Sequence, residues 1–372
     1  MDFQSFILPP YAAAMSLLGL YGLHRLLMLR RFDSEALTPR PVQDAKDTEE
    51  ELPFVTIQLP IYNEATVAGR LLRAAGEMRY PKDRFEIQVL DDSTDNTREI
   101  VDAEAAALRE RGIAISVVRR DDRSGFKAGA LNAGMQDAKG NLLAIFDADF
   151  VPDPGFLEEL VPTFADDSVG MVQARWGHEN RDDSWLTRAQ ATLLDGHFVI
   201  EHQARHGRGL FFNFNGTAGI WRRAAIDDAG GWQHDTLTED LDLSYRAQLD
   251  GWKFVYVPRV VAPAEVPPEI SAFKSQQHRW AKGSVQVFRK LGLRILRSEV
   301  PWRVKVEALF HLTGNIGYPC VLILAVLLPL SIQINERVAP WVHAAMFILC
   351  TISVVLFYER SQRAIARPLR KR

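Results

Sequence analysis

The chain has 372 residues and a formal net charge of -3, with 47% hydrophobic and 24% charged residues. That length predicts two or three structural units, and a charge so near zero gives no argument for a nucleic-acid partner. The two cysteines, Cys320 and Cys350, both lie in apolar C-terminal stretches, which argues against a disulfide framework and a cysteine-ligated zinc site.

Phe6 to Leu29 is predominantly apolar, long enough to cross a bilayer, and ends among His24, Arg25, Arg30 and Arg31. The residues ahead of it carry Asp2 and no Lys or Arg, unlike a cleaved signal peptide. Residues 1–32 therefore read as a retained anchor whose basic flank leaves the next domain in the cytoplasm. Residues 33–52 are charged, contain Pro39 and Pro41, and read as a linker.

From Phe54 short apolar runs alternate with helical segments: Val55 to Leu59, Phe85 to Leu90, Ile113 to Val118 and Leu142 to Phe146. Strands separated by helices of that length predict βαβ units, an α/β fold and a parallel sheet with ligand crevices at its carboxyl edge. The loops after the strands then carry the chemistry: Pro60-Ile61-Tyr62-Asn63-Glu64 after the first, Asp91-Asp92-Ser93-Thr94-Asp95 after the second, Asp147-Ala148-Asp149 after the fourth. No Gly-x-Gly-x-x-Gly follows the first strand and no Gly-Lys-Ser/Thr occurs, which argues against dinucleotide redox chemistry and P-loop hydrolysis.

In an extended segment Asp147 and Asp149 point the same way, so both can approach one hard divalent cation that bridges a diphosphate. Asp-x-Asp is also common on solvated loops, and the pair alone is a weak signal. Lys127 opens a helix of small residues from Gly125 to Gly134, where free N–H groups and a full charge can receive a phosphate. The same small residues would let that helix pack close to the sheet.

Beyond Pro152 the pattern is less regular and richer in aromatics: Gln173-Ala174-Arg175-Trp176, then Phe211 to Gly219 with Phe214, Asn215 and Gly216. Aromatic faces beside amides suit sugar rings, although aromatic core is the commoner use of such residues. Thr238-Glu239-Asp240 follows, then Gln276-Gln277-His278-Arg279-Trp280. The latter opens a basic amphipathic helix from Ser271 to Leu293 that suits either an anionic membrane surface, over 271–292, or a plain domain helix. Leu309 to Ile334 and Trp341 to Tyr358 form a further membrane-length hairpin over 305–358, turned at Asn335 to Pro340. The tail, 359–372, carries Arg360, Arg363, Arg367, Arg370, Lys371 and Arg372, and reads as cytoplasmic.

Asp91-Asp92, Asp147-x-Asp149, Thr238-Glu239-Asp240 and Gln276-x-x-Arg279-Trp280, in this order after an anchor, resemble the processive branch of glycosyltransferase family 2, over roughly residues 54 to 292. The wording is similar to the cellulose-synthase-like A and C proteins, which make β-1,4-mannan, glucomannan or glucan. The resemblance implies a cytoplasmic nucleotide-sugar transferase domain of the GT-A type over 53–292, between N- and C-terminal transmembrane helices of a plasma- or inner-membrane protein. Carried onto matching positions, it implies that Tyr62, Asn63, Glu64 and Asp92 contact the nucleoside of GDP-mannose or UDP-glucose. It implies that Asp147 and Asp149 hold Mg2+ or Mn2+ against the diphosphate, and that Lys127 and Arg279 offset the remaining charge. It further implies that Asp240, with Glu239 beside it, is the base for the acceptor hydroxyl. Phe214, Asn215, Gly216, Gln276 and Trp280 would hold the acceptor sugar of a β-glycan.

The two C-terminal runs are fewer than the polymer-exporting members carry. Export through this chain alone, association of several copies, a shortened chain, single addition to a glycolipid and a non-catalytic subunit all stay open at this point.

Overall fold

The computed structural model describes residues 4–37, 52–334 and 340–366. Most of the linker expected over 33–52, the turn expected after Ile334 and the tail residues Arg367, Arg370, Lys371 and Arg372 lie outside them. The chain divides into two compact units. One comprises Met1–Ser34, Thr192–Leu210 and Pro301–Arg372; the other comprises Glu35–Ala191 and Phe211–Val300.

The second unit is built on a seven-stranded sheet. Strands β1 (Val55–Ile61), β2 (Phe85–Asp91), β3 (Ile115–Val118), β4 (Leu142–Ile145), β5 (Val169–His178), β6 (Gly219–Arg222) and β7 (Lys253–Ala264) lie in the order β3-β2-β1-β4-β6-β5-β7. The pairs β1–β2, β1–β4 and β2–β3 are parallel. These three inner strands are apolar runs buried on both faces, as a sheet covered by helices on either side requires. The polar residues they do contain are paired. Gln58 donates to Gln88 at 2.9 Å and Thr56 to Glu86 at 2.8 Å, so neither β1 nor β2 buries an orphaned amide nitrogen or hydroxyl there. Helix Phe126–Asp137 packs on this face through Gly134, where a Cβ would stand 2.6 Å from Gln88 Oε1. The small residues of that helix thus serve close helix–sheet packing.

The half beyond Pro152 is also sheet, which the irregular sequence pattern did not predict. β6 runs antiparallel to β4 and to β5, and β7 is parallel to β5, so the sheet is mixed. The reversal matters for the site. Gly219, the first residue of β6, pairs with Ile145, the last of β4, so the segment before β6 arrives at the carboxyl edge of β4. Two long helices complete this unit for present purposes: Glu239–Leu249 and Ile270–Arg297.

The first unit contains three helices long and apolar enough to cross a membrane, over Phe6–Arg31, Trp302–Pro329 and Ala344–Ala366. Helix Gln4–Arg31 packs along Gly317–Ile334 and Pro340–Ala366. Between Thr192 and Leu210 the chain leaves the sheet unit and joins this one, so the domain expected over 53–292 is interrupted rather than continuous. The excursion is tied down by buried charge. Glu307 accepts from His24 Nε2 at 3.0 Å and from Arg205 Nε at 3.1 Å, with Arg31 at 3.7 Å; Arg205 also reaches Glu201 at 3.3 Å. A carboxylate in an apolar helix is costly unless cations and hydrogen bonds surround it, and these do.

Candidate active site

Three loops meet at the carboxyl edge of β1, β2 and β4. After β1, Asn63 sits at φ 54°, a left-handed conformation that asparagine tolerates, and its side chain bridges to the next loop. Its Oδ1 accepts from the Thr94 N–H at 2.8 Å, and its own N–H donates to Ser93 Oγ at 3.0 Å. In the loop after β2, Asp91 is wholly buried and held by Arg119 at 2.8 Å, while Asp92 is clamped by both Nε (3.0 Å) and Nη2 of Arg120. Asp91 ends β2 rather than opening the loop, so only Asp92 of the expected pair lies at the loop's mouth.

The strand before the acidic pair ends at Ile145, one residue earlier than expected. Asp147-Ala148-Asp149 is a turn, closed by the Phe150 N–H to Asp147 O at 3.1 Å, so the turn and not strand alternation brings the carboxylates together. Their nearness is felt electrostatically. Burial, then the charge of Asp147, pushes Asp149 up to about 6; burial, then Asp147 and Asp149, pushes Glu64 up to about 7. Glu64 therefore belongs with the acidic pair as much as with the nucleoside loops. Thr217 Oγ1 accepts from the Asp147 N–H at 2.9 Å and fixes the turn against the segment before β6.

Lys127 stands where this acidic turn faces the catalytic candidates. Its ammonium bonds Asp147 and also donates to Gly216 O at 3.0 Å. Burial alone would lower it, but Asp147 and Glu239, with Asp240, hold its pKa raised and its charge in place. The sequence reads Lys127 at a helix start as a phosphate seat; in the structure its nitrogen pairs with the carboxylate of the turn.

Thr238 precedes helix Glu239–Leu249, whose first turn carries Glu239, Asp240 and Asp242. A helix start favours anions, yet burial dominates here. It raises Glu239, and burial, then the neighbouring Glu239 charge, raises Asp240 to about 7. Asp240 Oδ1 accepts from the Leu241 N–H at 2.8 Å, which leaves Oδ2 toward Gly216. Gly216 has φ +81°, and a Cβ there would stand 3.3 Å from Asp240 Oδ2 and 3.4 Å from Lys127 Nζ. Asp240, Gly216, Lys127 and Asp147 are thus consecutive neighbours.

The remaining expected residues separate into two kinds. Phe214 is fully buried, its ring 5.7 Å from Trp221 and 6.5 Å from Trp232, so it is core and offers no face to a sugar. Asn215 borders the site and donates its N–H to Gln173 Oε1 at 3.0 Å. Gln276 and Trp280 are half-buried on helix Ile270–Arg297, and Arg279 is exposed with its charge lowering Glu239. That helix is seated on the loop before Asp240. Gly283 packs on Thr238 with no room for a Cβ, Gln286 accepts from the Leu237 N–H at 2.9 Å, and Lys290 reaches Asp235 at 2.7 Å and buried Asp242 at 3.0 Å.

Sequence reading misses the structural parts played by Gln173, Thr217 and Lys290, although it singles out the stretches that hold them, and misses Arg120 altogether. Gln173 is buried, and its amide donates to the carbonyls of Ala174, Thr217 and Ala218, shaping the segment beside Asp147 rather than meeting a sugar. Trp176 is likewise packed on Phe150. A glutamine in an otherwise apolar strand start was the one signal for the first of these.

Among the described residues no group of three or more His, Cys, Asp or Glu forms a metal-ligand cluster. A cation here would take its protein oxygens from Asp147 and Asp149 and the rest from a diphosphate and water. The residues fit that use, since all are hard oxygen donors, and burial first and neighbouring carboxylates second raise Asp149 and Glu64, which an added positive charge would offset.

Residues 53–283 match the family model described as "Glycosyltransferase like family 2". The chain is 40% identical over 317 residues to the rice protein "Probable glucomannan 4-beta-mannosyltransferase 7", covering 81% of this chain and 54% of that one. It is 39% identical over 330 residues to the Arabidopsis thaliana protein "Probable glucomannan 4-beta-mannosyltransferase 10", covering 86% and 60%. The chain thus spans little more than half the length of these relatives. In fold it is similar to the mannosyltransferase PcManGT from Pyrobaculum calidifontis, solved with GDP-Man and Mn2+, with a TM-score of 0.68, 23% identity, and coverage of 95% of this chain and 94% of that one.

Proposed function

The chain belongs to glycosyltransferase family 2, and from that premise we propose that it is a membrane-bound inverting hexosyltransferase extending a β-1,4-linked mannan or glucomannan. The names of the relatives favour GDP-mannose as donor over UDP-glucose. The single observation carrying the chemistry is Asp240, a half-buried carboxyl raised to about 7 and separated from the acidic turn only by Gly216 and Lys127.

In this reading a hydroxyl oxygen of the acceptor sugar attacks the anomeric carbon of the donor. Its proton passes to Asp240, a new C–O bond forms, and the bond from carbon to the phosphate oxygen breaks with its electron pair leaving on the nucleoside diphosphate. One displacement turns an α-linked donor into a β-linked product and needs no enzyme nucleophile, unlike the carboxylate pair of a retaining glycosidase. A bound Mg2+ or Mn2+ would neutralise charge growing on the leaving diphosphate, held by Asp147 and Asp149. Arg279 adds positive charge on the same side, Lys127 keeps Asp147 oriented, and Asn63 and Asp92 hold the nucleoside loops in register. Asn215, Gly216, Gln276 and Trp280 border the acceptor side.

The three apolar helices support a multi-pass membrane protein, and the basic ends at Arg25, Arg30, Arg31, Arg360 and Arg363 support a cytoplasmic transferase unit in the plasma or inner membrane. On helix Ile270–Arg297, Val285, Leu293 and Leu296 are exposed beside Arg289 and Arg297, which supports a membrane-facing surface.

Membranes carrying the chain, supplied with Mn2+ or Mg2+ and radiolabelled GDP-mannose or UDP-glucose, test the proposal beside Asp240→Asn. Solvent-insoluble label sensitive to an endo-mannanase or endo-glucanase is the expected result. Chloroform-extractable label would mean single transfer to a lipid, and no Asp240-dependent label would leave a non-catalytic subunit.

A further inference from the structure

Around the acidic turn nearly every cation is already engaged. Arg119 is shared by Asp91 and Asp102, and Arg120 by Asp92 and the carbonyls of Ser124 and Phe126. Lys127 is committed to Asp147 and Gly216 O. Arg123 differs. Its side chain makes no hydrogen bond or ion pair among the described residues, and its Nε is buried without a partner.

What holds Arg123 is aromatic. Its guanidinium carbon lies 3.2 Å from the centroid of Tyr62 and 5.2 Å from that of Phe126. Tyr62 opens the loop that ends at Glu64, and the charge of Arg123 lowers Glu64 against its burial. Gly125 and Phe126 stand at φ 72° and 50° between Arg123 and Lys127, and both of those cations lie near enough to Glu64 to lower it. A guanidinium held over a ring by its cation–π attraction makes no hydrogen bond to that ring's edge, so its N–H donors stay available for phosphate oxygens.

The geometry points to Arg123 as a donor-diphosphate-binding residue, with Tyr62 as its platform. This rests on the reading of the acidic turn as the donor site, and deepens it. The arriving diphosphate brings two or more negative charges up to Glu64, Asp147 and Asp149, and Arg123 is a cation beside them whose side chain has no hydrogen-bond or ion-pair partner among the described residues.

The test measures binding alone, by calorimetry on the full chain in lipid nanodiscs with Mn2+, using guanosine, GMP and GDP as probes. Arg123→Gln should weaken GDP roughly tenfold to a hundredfold, the range of a lost charge-assisted pair, and guanosine less than twofold; Arg123→Lys should recover part of the loss. Equal losses for guanosine and GDP would assign Arg123 to the base and overturn the proposal. Unchanged GDP binding in Arg123→Gln, with binding lost in Asp149→Asn, would overturn it while sparing the donor site. Unchanged binding in both would remove the donor site and the proposal with it. Should the Gln variant melt early, the Lys variant decides by the same comparison.

Discussion

The proposed donor and acceptor sides of the site handle acidic groups differently. At the ends of β1, β2 and β4 the carboxylates are mostly answered from within: Asp91 by Arg119, Asp92 by Arg120, Asp147 by Lys127. At the start of helix Glu239–Leu249, Asp242 is matched by Arg246 at 2.8 Å, but the Asp240 carboxylate accepts, among the described residues, only a backbone N–H and sits raised by its surroundings. The answered groups are suited to shape and to holding charge. The unanswered one is suited to taking a proton, because a base is useful when its ordinary state lies near the working pH.

Asp240→Asn sharpens this contrast most. Turnover should fall by roughly 10²–10⁴-fold, the usual contribution of a general base, while GDP affinity measured with Mn2+ stays within about twofold. Comparable turnover in the two proteins would move the base elsewhere.

Gly216→Ala attacks the boundary between the sides. A left-handed non-glycine residue costs roughly 1–2 kcal/mol, and the added methyl would press on Asp240 and Lys127. Stability should drop by about that amount in a urea titration, and kcat should fall by more than the same energy implies. A loss of stability with kcat unchanged would mean that Gly216 lies off the reaction path.

Acidity separates the sides again. Asp240, raised to about 7, must be ionised to accept a proton, so activity should rise with pH up to about 7, falling about tenfold per unit below it. Asp149 and Glu64, raised to about 6 and about 7, bind protons more tightly folded than unfolded. Without cation they therefore favour the folded state at low pH, and that advantage is lost as pH climbs through these values. A cation must displace those protons, so Mn2+ should raise the melting temperature more at pH 8 than at pH 5.5. Equal shifts at both would argue against Asp149 as a ligand.

How far the sequence disclosed this arrangement depended on the kind of signal. The four strands from Val55 to Ile145 were legible because each is an apolar run with turn residues after it. β5 and β7 were not, since Arg175, Lys253, Pro258 and Pro263 break the pattern that marks a strand. Phe214 reads the same as core or as sugar platform, and only its packing against Trp221 decides. The excursion from Thr192 to Leu210 was invisible because its anchor, Arg205 to Glu307, joins residues 102 apart in the chain. The catalytic candidates are findable through spacing, but the orienting roles are not: Gln173 and Thr217 stand in stretches that read as sugar-facing and instead bond the chain beside Asp147, and Lys290 reads only as one charge of a basic helix.

Lys290 gives the mildest of these tests. It lies on the helix that carries Gln276, Arg279 and Trp280, and it ties that helix to Gln233 and Asp235 at 2.7 Å and to Asp242 at 3.0 Å. Asp242 keeps Arg246 when Lys290 is removed, so Lys290→Met does not strand a lone buried charge. The expected cost is about 1–2 kcal/mol rather than the larger penalty of a fully broken buried pair. Because Lys290 touches neither Asp240 nor the acidic turn, its loss should loosen the helix against the loop before Asp240. KM for acceptor should then rise a few-fold, with GDP affinity unchanged and Lys290→Arg restoring the parent behaviour. A fall in kcat with KM unchanged would instead mean that the strap serves the base itself, and would move Lys290 from the acceptor side to the proton.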